Sequence, residues 1–206
     1  MHEMRRSLNR QLGFFALVLY LGFPFAARAQ ATAAAPAQAA PAPATPAPAT
    51  PAAPAPEWKS YSYSANGFSA SFPSEPEMQK RDIPTDAGSF QLRSYIAQVG
   101  PVALFVGVCD YGAAAEGKDP DEMLQGAKGG ALKNSNSNLV SEHKITLGIY
   151  HGVAFESESD TSHFSARIYV VGTTLYQTLV VAPKDAPYSD TTRFLDSFQL
   201  IARVRS

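Results

Sequence analysis

An α+β domain on a mostly antiparallel β-sheet is the fold class the sequence predicts. Three observations lead there. Period-two apolar patterning recurs from residue 67 to residue 200, which is how half-buried strands read. Two stretches with helix-start chemistry interrupt it, so strands and helices are segregated rather than alternating. And the composition changes abruptly at residues 30 and 57, which separates 150 patterned residues from a leader and a tether.

The elements follow in order. GFSASF (Gly67–Phe72) alternates Phe68, Ala70 and Phe72 with serines, and Pro73 and Pro76 stop it. SFQLRSYIAQV (Ser89–Val99) sets Phe90, Leu92 and Ile96 against Arg93 and Tyr95. After a Gly100-Pro101 turn, Val102–Tyr111 is apolar on both faces and belongs in the middle of the sheet. Asp119 then offers an N-cap and Pro120 a first helical residue, with Asp121 and Glu122 complementing the helix dipole. Leu124, Ala127 and Ala131 form the stripe of this helix, while Gly126, Gly129 and Gly130 weaken it, so it must lean on the sheet. Four strands come next, at Leu139–Leu147, Gly152–Ser159, His163–Val171 and Thr173–Ala182, with Gly148 and Gly172 marking turns. A short helix over Ser189–Asp196 and a last strand at Phe198–Leu200 close the domain.

The chain has 206 residues, 17 Lys+Arg against 18 Asp+Glu, and one cysteine. Residues 57–206 are net acidic, which disfavours a nucleic-acid binder working through a basic surface. A single cysteine, Cys109, excludes an internal disulfide framework and a multi-cysteine zinc site. It reads as a buried small hydrophobe or, in an exported chain, as a partner for a thiol of another molecule.

Residues 1–29 read as a secretory signal. Arg5, Arg6 and Arg10 precede the uncharged run Leu12–Ala27, and Ala27-Arg28-Ala29 places small residues before a cut between Ala29 and Gln30. The run is shorter than the about 20 residues of a bilayer span, although a tilted uncleaved anchor stays open as the alternative. Residues 30–56 are Ala, Pro, Thr and Gln with no charge. Alternating Ala-Pro cannot form a helix or bury a core, so an extended polyproline-II tether reaching on the order of 80 Å is expected. The expected location is periplasmic or secreted, or inner-membrane if the leader stays in place. The sequence leaves the oligomeric state open.

The blocks GFSASFPSEP, KITLGIYHGVAFE, ARIYVVGTTLYQTLVV and RFLDSFQL together resemble a widespread bacterial exported domain of the PsbP/DcrB-like superfamily. Ile149-Tyr150-His151-Gly152 departs from that domain's Gly-x-x-Gly turn, though Gly148 and Gly152 still bracket the segment. The resemblance implies an α/β/α sandwich with helices on both faces of the sheet. It also implies a non-catalytic accessory or binding role. An exported binding domain of this kind is expected to work without a cofactor, with an envelope protein as a candidate partner. It carries no shared functional residues.

Two constellations in the chain are candidate sites. Arg93 and Tyr95 share one strand face, Arg167 and Tyr169 another, and Tyr176 aligns beside them, an arrangement suited to anionic or planar ligands or a protein partner. Glu156, Glu158 and Asp160 alternate at period two between His151 and His163, as a cation site at a hairpin end would, or as a charged strand edge that discourages aggregation. A hydrolase is the third reading, but no G-x-S-x-G nucleophile elbow supports it.

Overall fold

The computed structural model describes residues 57–85 and 88–203. The leader, the Ala29/Gln30 cleavage point and the Ala/Pro tether lie outside the described residues. The strands are β1 (Lys59–Tyr63), β2 (Phe68–Phe72), β3 (Glu77–Thr85), β4 (Gly88–Val99), β5 (Val102–Asp110), β6 (Asn138–Leu147), β7 (Tyr150–Glu158), β8 (Ser162–Val171), β9 (Thr174–Pro183) and β10 (Gln199–Leu200). The helices are α1 (Pro120–Ser135) and α2 (Thr191–Asp196).

Seven strands form one sheet in the order β3-β4-β5-β9-β8-β7-β6, and β1-β2-β10 form a second, small sheet. Every pairing is antiparallel. The α+β expectation therefore holds. β5 lies between β4 and β9, with its residues buried one after another from Val102 to Cys109. That is the cause of its apolar character on both faces: there is sheet on each side of it and cover above and below.

On one face of the large sheet, α1 packs against β7 and β8. Its Met123, Leu124, Ala127 and Ala131 are buried. Asp119 caps the helix as the sequence predicts, accepting from the amides of Asp121 at 2.7 Å and Glu122 at 3.3 Å. The opposite face is covered by β2 and α2, which together bury Phe68, Phe72, Phe194 and Phe198 over Tyr95, Tyr169 and Tyr176. Phe198 is the centre of this layer. Its ring stacks on Tyr169 at 5.8 Å and on Phe68 at 5.7 Å, and meets Tyr176 at 5.7 Å.

Three expectations need adjustment. The second face is covered mainly by a small sheet, with α2 contributing six residues, so it is not a full helical layer. β1 and β3 were not anticipated: both are sheet edges, mostly exposed, so their residues carry little of the apolar alternation that marks a buried strand. β6, at the other edge, slips register between Leu139 and Ser141, and this bulge leaves Val140 exposed.

Candidate functional site

A concave region of the described surface forms where the Gly67 turn, the start of β7, the β8–β9 turn and the segment after β10 meet. Tyr63 leads into a 3-10 turn at Ser64–Asn66, and Gly67 follows with φ 75°, a conformation that Asn-Gly supplies readily. The turn sets Asn66 over the middle of β4 and the start of β9. Its Oδ1 accepts from Arg93 Nη1 at 3.1 Å, its Nδ2 donates to the Tyr95 hydroxyl, and its backbone carbonyl accepts from the Tyr176 hydroxyl at 2.9 Å.

The segment after β10 returns to the same place. Ile201 N–H donates to the Gly67 carbonyl at 3.0 Å, which delivers Arg203 to the end of β9. Arg203 Nη2 donates to Thr174 Oγ1 at 2.8 Å and to the Tyr176 hydroxyl at 3.1 Å, while Nη1 reaches Asp110 Oδ2 at 3.4 Å. Asp110 Oδ1 accepts from Gly112 N–H at 3.0 Å and from Thr173 Oγ1 at 2.9 Å. Partial burial alone would raise the Asp110 pKa, but these donors and the arginine charge outweigh it and hold the carboxyl below its usual range. Both groups are therefore charged at neutral pH. The cleft has a volume of about 400 Å³. Tyr150, Val171, Leu200 and Ile201 give it apolar walls, and Arg203 is the one lining group charged at neutral pH among the described residues.

The Arg/Tyr constellation is placed as follows. Arg93, Tyr95 and Tyr176 meet at Asn66, as described. Their rings are core, however: Tyr95 and Tyr176 are each 2% exposed, so only their hydroxyls serve the network. Burial pushes the Tyr95 hydroxyl's pKa up, against a smaller downward pull from Arg93. Arg167 and Tyr169 share that sheet face but stand apart from the cleft. Arg167 donates to Asp196 at 2.6 Å, and Tyr169 lies buried and parallel to Phe198. Asn66, Asp110, Thr174 and Arg203 were not singled out from sequence. Asn66-Gly67 carried a turn signal, but Arg203 meets partners 27 to 93 positions away and has no local signature.

Glu156 and Glu158 do share a face with His163. Glu156 Oε2 accepts from Ser165 Oγ at 2.6 Å and pairs with His163 Nε2 at 2.8 Å. Glu158 pairs with Lys184 at 3.0 Å and with His163 Nδ1 at 3.4 Å. Asp160 sits exposed in the β7–β8 connection. Lys184 and His163 thus occupy the carboxylates where a cation would bind, and no group of three or more metal-ligating side chains is arranged around a common point among the described residues. His151 pairs elsewhere, with Asp121 at 2.9 Å. Ser141 and Lys144 have the spacing of a Ser-x-x-Lys catalytic pair, but on strand β6 three residues separate opposite faces, and Lys144 bonds Asp121 at 2.6 Å. No helix among the described residues is long and apolar enough to cross a membrane.

No protein-family model matches the chain, and no curated protein sequence does. Solved structures do. The solution structure of cyanobacterial PsbP (CyanoP) from Synechocystis superposes with a TM-score of 0.51 at 11% identity, over 73% of this chain and 96% of that one. The fold is PsbP-like. A crystal structure from Bacteroides thetaiotaomicron is more distant, with a TM-score of 0.37 at 12% identity, and the match spans 69% of this chain and about half of that one (48%). At 11% identity the likeness to CyanoP is one of fold alone, and the site has to be read from this chain's own residues.

Proposed function

We propose that the chain is an exported, non-catalytic accessory domain that works by holding a ligand or an envelope protein at the Arg203 cleft. The observation that carries this reading is the state of the polar groups around the cleft. Asp110, Thr173, Thr174, Tyr176 and Asn66 bond one another or Arg203, which leaves a fixed cation beside apolar walls. Such a setting suits recognition. Turnover would ask for a nucleophile hydrogen-bonded to a base, whereas His151 and His163 are paired with carboxylates and neither lines the cleft. The PsbP-like fold supports an accessory role, and the leader and tether support export.

The anion-binding reading is favoured over the cation-binding one, because His163 and Lys184 meet the acidic cluster at 2.8 and 3.0 Å, whereas Arg203 lines the cleft and meets Asp110 only at 3.4 Å. Edman or mass-spectrometric sequencing of the protein recovered from fractionated cells tests export. A chain starting at Gln30 in the periplasmic or culture fraction supports it. An intact Met1 in the membrane fraction keeps an envelope role with an anchor, and an intact chain in the cytoplasm refutes it.

A further inference from the structure

Arg203 is held by one edge and loosely met on the other. Nη2 is fixed by Thr174 and Tyr176, whereas Nη1 meets Asp110 Oδ2 at 3.4 Å, the long limit for an N–H···O contact. Asp110 keeps partners if that contact is lost, since its other oxygen accepts from Gly112 and Thr173. Both side chains are open to solvent, 39% for Arg203 and 42% for Asp110. A guanidinium already oriented on one edge loses little freedom on binding, and its planar fork matches a carboxylate better than a point charge does. Leu200 and Ile201 supply an apolar wall beside it.

We infer that the cleft takes a carboxylate borne on an apolar body, with the carboxylate displacing Asp110 from the open edge of Arg203 and the body lying against Leu200 and Ile201. This inference rests on the binding reading above and names its ligand class. Asp110 remains a neighbouring anion, so a singly charged planar group fits better than a phosphate dianion, and among the described residues no second cation lines the cleft to offset the charge. A volume of about 400 Å³ is at the small end for ligand pockets, which run from roughly 300 to 1,000 Å³. It has room for a compact organic acid or for the terminal residue of a peptide.

The test is calorimetric and NMR titration of the chain as recovered from cells. The probes are hydrocinnamate, acetyl-Ala-Leu with a free carboxylate, the same peptide as its C-terminal amide, and inorganic phosphate. The two carboxylate probes should shift the amides of Gly67, Gly172 and Thr174, and the amide peptide and phosphate should not. Hydrocinnamate binding without the peptide assigns a free acid as the source, and tighter peptide binding assigns a protein terminus.

The variants make the decision. Arg203→Gln should weaken carboxylate binding by about tenfold or more, the loss expected for a charge-assisted bond. Asp110→Asn keeps an oxygen for Gly112 and Thr173, and should tighten binding several-fold by removing the competing anion. Arg193→Gln, remote from the cleft, should leave it unchanged. If Arg203→Gln does not fold, the opposite-signed Asp110→Asn effect still decides. Phosphate binding as tightly as carboxylate, or Asp110→Asn leaving affinity unchanged or weaker, overturns the inference. A different ligand class moving the same amides also overturns it but leaves the binding reading intact, whereas turnover of a probe in the cleft overturns the reading itself.

Discussion

Cys109 lies in β5 at 1% exposure, and burial pushes its thiol pKa up to about 11. A neutral, enclosed thiol is a poor nucleophile. Ellman's reagent should therefore leave the native protein unlabelled and react with one thiol per chain after denaturation, and native labelling would refute this. Cross-linking through Cys109 would in turn require local unfolding. Gly152 shows how a residue can be noticed for the wrong reason. It reads as the end of a turn bracket and the first residue of a strand; it lies two residues inside β7, and the Tyr169 ring of β8 covers it. A Cβ there would stand 2.5 Å from Tyr169 Cδ1 and 2.9 Å from the Ile168 carbonyl oxygen. Backbone cannot yield as a side-chain tip can. Gly152→Ala should cost about 1–3 kcal/mol, measured as a shift of the urea midpoint. The glycine was visible in the sequence, but its reason sits on another strand.

Among the elements, α1 was the most legible, because its signals are local. The Asp-Pro-Asp-Glu start caps the helix with hydrogen bonds that span two or three residues. Asp119→Ala should lower stability by about 1 kcal/mol. Gly129 faces open space, with nothing within 4 Å of an added Cβ, so Gly129→Ala should raise stability by about 0.5–1 kcal/mol. Paired thermal melts of the two variants check both signs. What the helix pattern does not show is where it attaches. Asp121 pairs with Lys144 and His151, and Glu142 with Lys128, so α1 is clamped by charge to the edge of the sheet above its apolar stripe. The buried strands were legible because both their period and their turn glycines are written locally. The edge strands β1 and β3 were not, since an edge exposed to water needs few apolar residues. The cleft was the least legible part, because it is assembled from residues 66, 110, 174 and 203, which only the finished topology brings together.

For the whole molecule, pH dependence follows from carboxylates that are better served in the folded state. Asp110, Asp121, Glu142 and Glu158 all have lowered pKa values. For Asp121 the first cause is the Lys144 hydrogen bond, for Glu142 that of Gln125, and for Glu158 that of Lys184. A depressed folded pKa stabilises above the ordinary carboxylate range and ceases to do so as pH falls through the folded value. The melting temperature should be level near neutrality and drop once pH passes below about 4. A melting temperature that rose on acidification would contradict this. Residues 57–206 hold both core faces described here, so that fragment should give a cooperative melt and a strand-rich circular dichroism spectrum without the leader and tether. One further consequence follows from where Phe198 stands. The aromatic layer over Tyr95, Tyr169 and Tyr176 is sealed by a ring that leaves the ribosome after almost every other residue of the domain. Until that ring arrives, the layer that β2 begins over this side of the large sheet lacks its centre, so the face closes only when synthesis of the domain is nearly complete.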